Sequence, residues 1–178
     1  MKSATSIQKL FAVGISTCFL SALSIQAAEA QRPVSLIEQQ CVRSGNSGWY
    51  TPVEDIVVGR ELYTSIMFMN PYNFKKPNGM TCKLTPGRFS TLHLQFGMRD
   101  TTRDGIGTRI VSVWLDGNQA ASRSVSRGQV KTIFLDIKNA RSLTLEVGCI
   151  KAEGCRTVGH VDFFKADLES SPTSPGSR

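Results

Sequence analysis

His160 and Asp162 stand two residues apart in "GHVDFF", and in an extended chain that spacing puts both side chains on one face. Such a pair can orient a ligand hydroxyl or move a proton. Nucleophilic catalysis needs a further partner, and the sequence holds no G-x-S-x-G elbow. Glu38, Glu54, Asp55 and Glu61 show no spacing that marks a glycosidase carboxylate pair. The pair therefore reads as a ligand-contacting or structural unit, and the chain as no enzyme. His93, on the polar side of its own alternating stretch, reads as a solvated surface residue.

"MRDTTRDGIGTR", residues 98–109, offers Asp100 and Asp104 on a Gly-bearing loop, a donor set that Ca²⁺ accepts. Arg99, Arg103 and Arg109 crowd the same stretch, and their charge opposes a cation. Ion pairing is the stronger expectation, so no cofactor is predicted. Arg109 becomes a candidate for gripping an anionic or polar ligand group. Further along, "NPYNFKKPNG" (70–79) carries two prolines and cannot run through the centre of a sheet. It predicts a loop that presents Tyr72, Asn73 and Phe74. Sugars have apolar C–H faces and dense hydroxyls, and an aromatic ring beside an amide suits both. Trp114 falls out of phase with Val111, Val113 and Leu115, so it faces the other side of its strand as a second stacking candidate. The candidate ligand-binding set is Tyr72, Asn73, Arg109, Trp114, His160 and Asp162.

The elements that must hold these residues are strands. Leu92, Leu94 and Phe96 alternate with polar neighbours, as do Val111, Val113 and Leu115. Ile133, Leu135 and Ile137 repeat the pattern, and so do Leu143, Leu145 and Val147. Between these runs lie "TPGR", "DGN", "SRG" and "KNAR", short turn-forming stretches. Asp116-Gly117 fits a tight primed turn, because Gly tolerates the positive φ such a turn needs. Short strands at regular spacing without a long helical pattern indicate an all-β sandwich or barrel. A short helix is expected near Leu36–Gln40.

The N-terminus has a different character. Lys2 and Lys9 precede an uncharged run from Leu10 to Ile25, and Ala28-Glu29-Ala30 supplies small residues at a cleavage position. A signal peptide over 1–30 is expected, with no transmembrane anchor and a secreted or periplasmic destination. The remaining chain divides into an N-terminal extension (31–46), one domain (47–169) and a tail (170–178) rich in Ser and Pro. The formal charge of +7 suits an acidic partner, such as an acidic polysaccharide or an envelope surface. No basic block points to nucleic acid. In an exported chain Cys41, Cys82, Cys149 and Cys155 favour two disulfides over zinc, since no paired CxxC knuckles occur. Cys149 and Cys155 bracket "IKAEG", a short connection that brings neighbouring strands within reach; Cys41–Cys82 is then paired by elimination.

Five segments, in order, resemble the NPCBM family, the carbohydrate-binding module associated with glycoside hydrolases. They are "SGWYTPVE" (47–54), "LTPGRFSTLHLQFGMRD" (84–100), "VSVWLDGNQAASRSV" (111–125), "ARSLTLEV" (140–147) and "HVDFFKADL" (160–168). Trp49 matches the family's aromatic at its position and is expected to pack in the core. The resemblance implies a galactose-binding-like jelly-roll, an antiparallel β-sandwich, and a carbohydrate partner. The alternative is a structural or protein-interaction module of the envelope.

Overall fold

A computed structural model describes residues 32–45, 49–71, 77–101, 107–150 and 159–170. The expected signal peptide and, beyond Ser170, the expected tail lie outside the described residues. Among the described residues the strands run in the order β1 (Val34–Ser35), β2 (Cys41–Ser44), β3 (Trp49–Tyr50), β4 (Glu54–Val58), β5 (Glu61–Ser65), β6 (Met67–Met69) and β7 (Asn78–Lys83). Then come β8 (Phe89–Gly97), β9 (Arg109–Leu115), β10 (Asn118–Val125), β11 (Val130–Asp136), β12 (Ser142–Cys149) and β13 (Val161–Ser170). The helix expected near Leu36 is a single 3₁₀ turn, Leu36–Glu38.

Two antiparallel sheets face each other. One has the order β11-β8-β13-β6-β3 with β1 also paired to β13; the other is β10-β9-β12-β7-β2. The alternation read from the sequence decides which side of each strand meets the partner sheet. Leu92, Leu94 and Phe96 of the first sheet, and Val111, Val113, Leu143, Leu145 and Val147 of the second, are fully buried in one core. Trp49 is half-buried against that core, as expected. This is the all-β antiparallel sandwich that the alternation and the resemblance predict.

The described part of the expected extension, residues 32–45, is woven into both sheets. Val34 and Ser35 pair with Leu168 and Asp167, and Cys41–Ser44 pair with β7. Leu36 between them is fully buried. Cys41 and Cys82 stand directly opposite in that register and form the predicted disulfide. Cys149 is disulfide-bonded as well; its expected partner Cys155 lies outside the described residues.

Turn chemistry accords with the residues. Asp116 (φ 50°) and Gly117 (φ 82°) both adopt positive φ, the signature of a primed hairpin turn between β9 and β10. The Asp116 carboxylate also accepts from the Arg141 and Ser142 amides at 3.0 and 2.8 Å, which ties the turn to the start of β12. Those amides hold its pKa below the usual carboxylate value. A register shift between Gln119 and Ala121 puts a bulge in β10.

Candidate functional site

A bulge in β13 lies beside the polar cluster around Asp162. The register shifts between Phe163 and Lys165, so Phe163 stays in the core while Phe164 turns to the outer side of its sheet. There the β4–β5 hairpin covers it: Ile56 and Val58 pack against it, and the Tyr63 ring stacks on it at 4.6 Å. Asp100, just past β8, fastens the hairpin tip by accepting from the Gly59 and Arg60 amides at 3.0 and 3.1 Å. These bonds lower its pKa. The expected loop carboxylate is therefore spent on a backbone turn. Its proposed Ca²⁺ co-ligand, Asp104, lies outside the described residues. Among the described residues no group of three His, Cys, Asp or Glu is placed to hold a metal.

The hairpin carries Glu54 and Ser65, which pair across it, to either side of Asp162. Asp162 is fully buried and faces outward from the core, opposite in phase to Val161 and Phe163. Arg99 meets it with two bonds, Nε to Oδ2 at 3.1 Å and Nη2 to Oδ1 at 2.7 Å. The same Nη2 donates to Glu54 Oε1 at 2.6 Å. Ser65 Oγ donates to Asp162 Oδ1 at 3.1 Å. Asp162 and then Glu54 raise the Arg99 pKa, so this guanidinium stays charged. His160 Nε2 lies 3.6 Å from Asp162 Oδ2, close but without a hydrogen-bond partner. Burial lowers the His160 pKa against the pull of Asp162, leaving a neutral imidazole.

Beside this cluster runs a line of rings. Phe68 pairs with Asp162 in register and packs on the His160 ring at 4.6 Å. Tyr50 pairs with Phe68 and stacks on it at 5.1 Å. Tyr50 is 51% exposed, so the line opens to solvent at that end. Its inner-side neighbour Trp49 has the Arg43 guanidinium 5.8 Å above its ring. Arg109, fully buried, donates from Nε to the Gly159 carbonyl at 3.3 Å and so positions the segment that delivers His160.

The structure thus joins His160 and Asp162 and redistributes the other candidates. Arg109 and Asp162 have no exposed surface and cannot themselves touch a ligand, which corrects their assignment as direct contacts. Trp114 points outward from the five-stranded sheet, the opposite face of the sandwich from His160, so the two do not share a site. Tyr72 and Asn73 lie outside the described residues. His93 is half-buried, not fully solvated: its ring stacks on Phe134 at 4.2 Å. Arg99 forms ion pairs, as its stretch leads one to expect, whereas no sequence signal marks Phe68 or Ser65, or Glu54 as its partner. For the exposed ring of Tyr50 the only signal is its in–out alternation with Trp49. A polar groove of about 470 Å³, lined by Val34, Glu38, Gln39, Gln40, Lys83, Thr85 and Arg88, shares no residue with this site.

No known family model matches the sequence, and no curated protein matches it. Solved structures do. The M60 catalytic domain with the CBM51-1 and CBM51-2 domains of Clostridium perfringens ZmpB aligns at TM-score 0.64 and 16% identity, over 79% of this chain and 15% of that one. CBM51-2 of ZmpB with INT domains, in complex with GlcNAc, gives 0.62 and 13%, over 79% and 32%. CBM51 from C. perfringens GH95, in complex with methyl-galactose, gives 0.60 and 14%, over 77% of this chain and 99% of that one. The chain thus spans under a third of the two ZmpB structures and nearly all of the isolated module. At these identities the likeness is one of fold: the chain is an antiparallel β-sandwich of the kind found in CBM51 carbohydrate-binding modules.

Proposed function

We propose that this protein is an exported, non-catalytic carbohydrate-binding module that takes an uncharged sugar at the Tyr50–Phe68–His160 line. The observation that carries this reading is the adjacency of an open aromatic stack to a fixed set of hydrogen-bonding groups. Tyr50 offers a ring to an apolar sugar face, and Glu54 and Arg99 stand at the rim for hydroxyls. Two carboxylates share one guanidinium, so the cluster carries no spare positive charge. That balance favours a neutral sugar over the acidic polysaccharide suggested by net charge. The fold likeness to modules solved with GlcNAc and methyl-galactose supports the same class. Export is supported by the disulfide, and no helix among the described residues is long and apolar enough to cross a membrane.

Catalysis fits the geometry poorly. Ser65 Oγ bonds Asp162 and the Met67 carbonyl, not His160, so these three side chains do not form a nucleophilic triad. Asp162 and Glu54 are both tied to one Arg99 nitrogen, where a glycosidase pair must flank a bond.

Titration calorimetry with N-acetylglucosamine and methyl-galactoside tests the reading. Binding should appear and weaken roughly tenfold, about 1.4 kcal/mol, in a folded Tyr50→Ala variant. Failure to bind any neutral sugar of a wide panel sinks it. One observation favours a protein-interaction role instead: Val57 (43% exposed) and Leu62 (71%) pair across the outward side of the β4–β5 hairpin. On that reading, retention on envelope extract survives added sugar and is lost in Leu62→Asp.

A further inference from the structure

The polar groove of about 470 Å³ lies at the far end of the sandwich from the Tyr50 line. β8 runs from Phe89, next to the groove's Arg88, to Gly97, which pairs with Asp162, so roughly 26 Å separates the two ends. One wall of the groove is segment 38–40 and the other is segment 83–88. The walls are fixed to each other: the Lys83 amide donates to the Gln40 carbonyl at 3.0 Å, directly beside the Cys41–Cys82 disulfide. From behind, the Leu84 and Gly87 amides donate to the Arg141 and Lys138 carbonyls at 2.8 and 2.7 Å. The Arg88 amide donates to the Thr85 carbonyl at 3.1 Å and closes a turn. A groove held in this way loses little backbone freedom when a ligand enters.

The side chains that line it are uncommitted and reachable. Among the described residues Glu38, Gln39, Gln40, Lys83, Thr85 and Arg88 make no side-chain hydrogen bond or ion pair. Gln39 is half-buried and the other five are exposed. The Arg88 guanidinium lies over the buried Phe89 ring at 5.0 Å, which steadies it and leaves its N–H fork to a ligand. Opposite charges thus border one groove without meeting, two cations (Lys83 and Arg88) against one carboxylate (Glu38). The turn behind carries Lys138 and Arg141 beside the Asp136 and Asp116 carboxylates, a balanced set. The surplus of one positive charge matches a ligand with a single negative charge. A carboxylate suits the Arg88 fork and the Lys83 ammonium. Glu38 only accepts, so the ligand must also bring donors, and a doubly charged phosphate is repelled. Gln39, Gln40 and Thr85 each donate and accept, as a sugar hydroxyl does. The volume falls within the roughly 300–1,000 Å³ of small-molecule sites.

From these features we infer that the groove is a second binding site, for a sugar acid: one carboxylate on a polyhydroxylated ring, as in a hexuronic acid unit. The carboxylate sits between Arg88 and Lys83. Ring hydroxyls donate to Glu38 and exchange hydrogen bonds with Gln39, Gln40 and Thr85. The site is independent of the Tyr50 line and of the neutral sugar proposed there.

The test is an NMR titration of the intact, disulfide-bonded protein, following the backbone amide signals of Gln39, Gln40, Thr85 and Arg88. The probes are D-glucuronate, D-glucose, acetate, glycine and inorganic phosphate at constant ionic strength. The expected result is a saturable shift with glucuronate that persists in Tyr50→Ala and weakens roughly tenfold in Arg88→Gln and in Lys83→Gln. Lys83→Gln leaves the cover of Phe89 untouched and so reads the charge alone. The other four probes should each bind roughly tenfold more weakly or less. Signals that stay still with glucuronate overturn the site, whatever neutral sugars do at the Tyr50 line. Glucose binding as tightly as glucuronate also overturns it, since the charge is then not read. Acetate, glycine or phosphate binding as tightly does the same, since the sugar ring is then not read. A shift that vanishes in Tyr50→Ala, or that ignores both Arg88→Gln and Lys83→Gln, likewise removes the second site.

Discussion

Asp162 shows how a single buried charge organises the residues around it. Its carboxylate takes two bonds from Arg99 and one from Ser65 while wholly shielded from water. Such a group is tolerated only because its partners are complete, and removing one side strands the other. Asp162→Ala should therefore cost about 3 kcal/mol in urea unfolding, with Arg99 left partly buried beside Glu54. A loss near zero would show that Arg99 finds full compensation in Glu54 or water. His160 makes a separate prediction. Its folded-state pKa lies below the unfolded value of 6.5. The unfolded chain then binds the proton more readily, so stability is full above about pH 6.5 and falls as pH drops below it. The lowered pKa values of Asp100 and Asp116 act elsewhere, below 3.8, where protonation removes their backbone bonds. Thermal melts between pH 7.5 and 5 should show a decline that flattens in His160→Gln. An unchanged slope would place the decline on other groups.

At the scale of elements, the β4–β5 hairpin is the piece on which the candidate site depends. It buries Phe164, brings Glu54 and Ser65 to Asp162, and hangs on Asp100 at its tip. Asp100→Ala should raise amide exchange at Gly59 and Arg60 while leaving the β8–β13 ladder protected. Equal exchange in both would mean the tip is held by packing alone. This hairpin is also where the sequence was hardest to read. The long strands were legible because a half-buried strand must alternate, and Leu92–Phe96 and Leu143–Val147 do so cleanly. Asp116-Gly117 was legible because few residues accept positive φ. Arg99 meeting Asp162 has no periodic signature: the two are 63 positions apart and come together because Asp162 pairs with Gly97 in the β8–β13 ladder. Alternation puts Trp114 on the outward side of its strand, but which sheet that strand joins decides its neighbours, and alternation is silent on that.

For the whole molecule, the Cys41–Cys82 bond fastens the outermost strand of the five-stranded sheet. Only four residues of β2 pair with β7, too little to hold an edge by hydrogen bonds alone. The bond closes a span of 41 residues that takes in β3 to β6. Replacing both cysteines with serine should lower unfolding free energy by about 3 kcal/mol, measured by urea titration without reductant. The wild type with reductant, which also loses the bond at Cys149, should fall at least as far. Equal midpoints for all three would show that the core, not the bond, secures β2. At the Tyr50 line Arg99 is taken up by two carboxylates, so it adds no net positive charge there.

The bulge in β10 has a consequence for how such molecules behave when crowded. β10 is eight residues long and forms one margin of its sheet, so its unpaired amides and carbonyls are a template on which a foreign strand could zip. The extra residue between Gln119 and Ala121 kinks that margin and breaks the regular ladder. The other margin, β2, is short and ends at Gly45 with φ 97°. Both margins of the five-stranded sheet are thereby made poor templates for a strand of a neighbouring copy packed densely beside it.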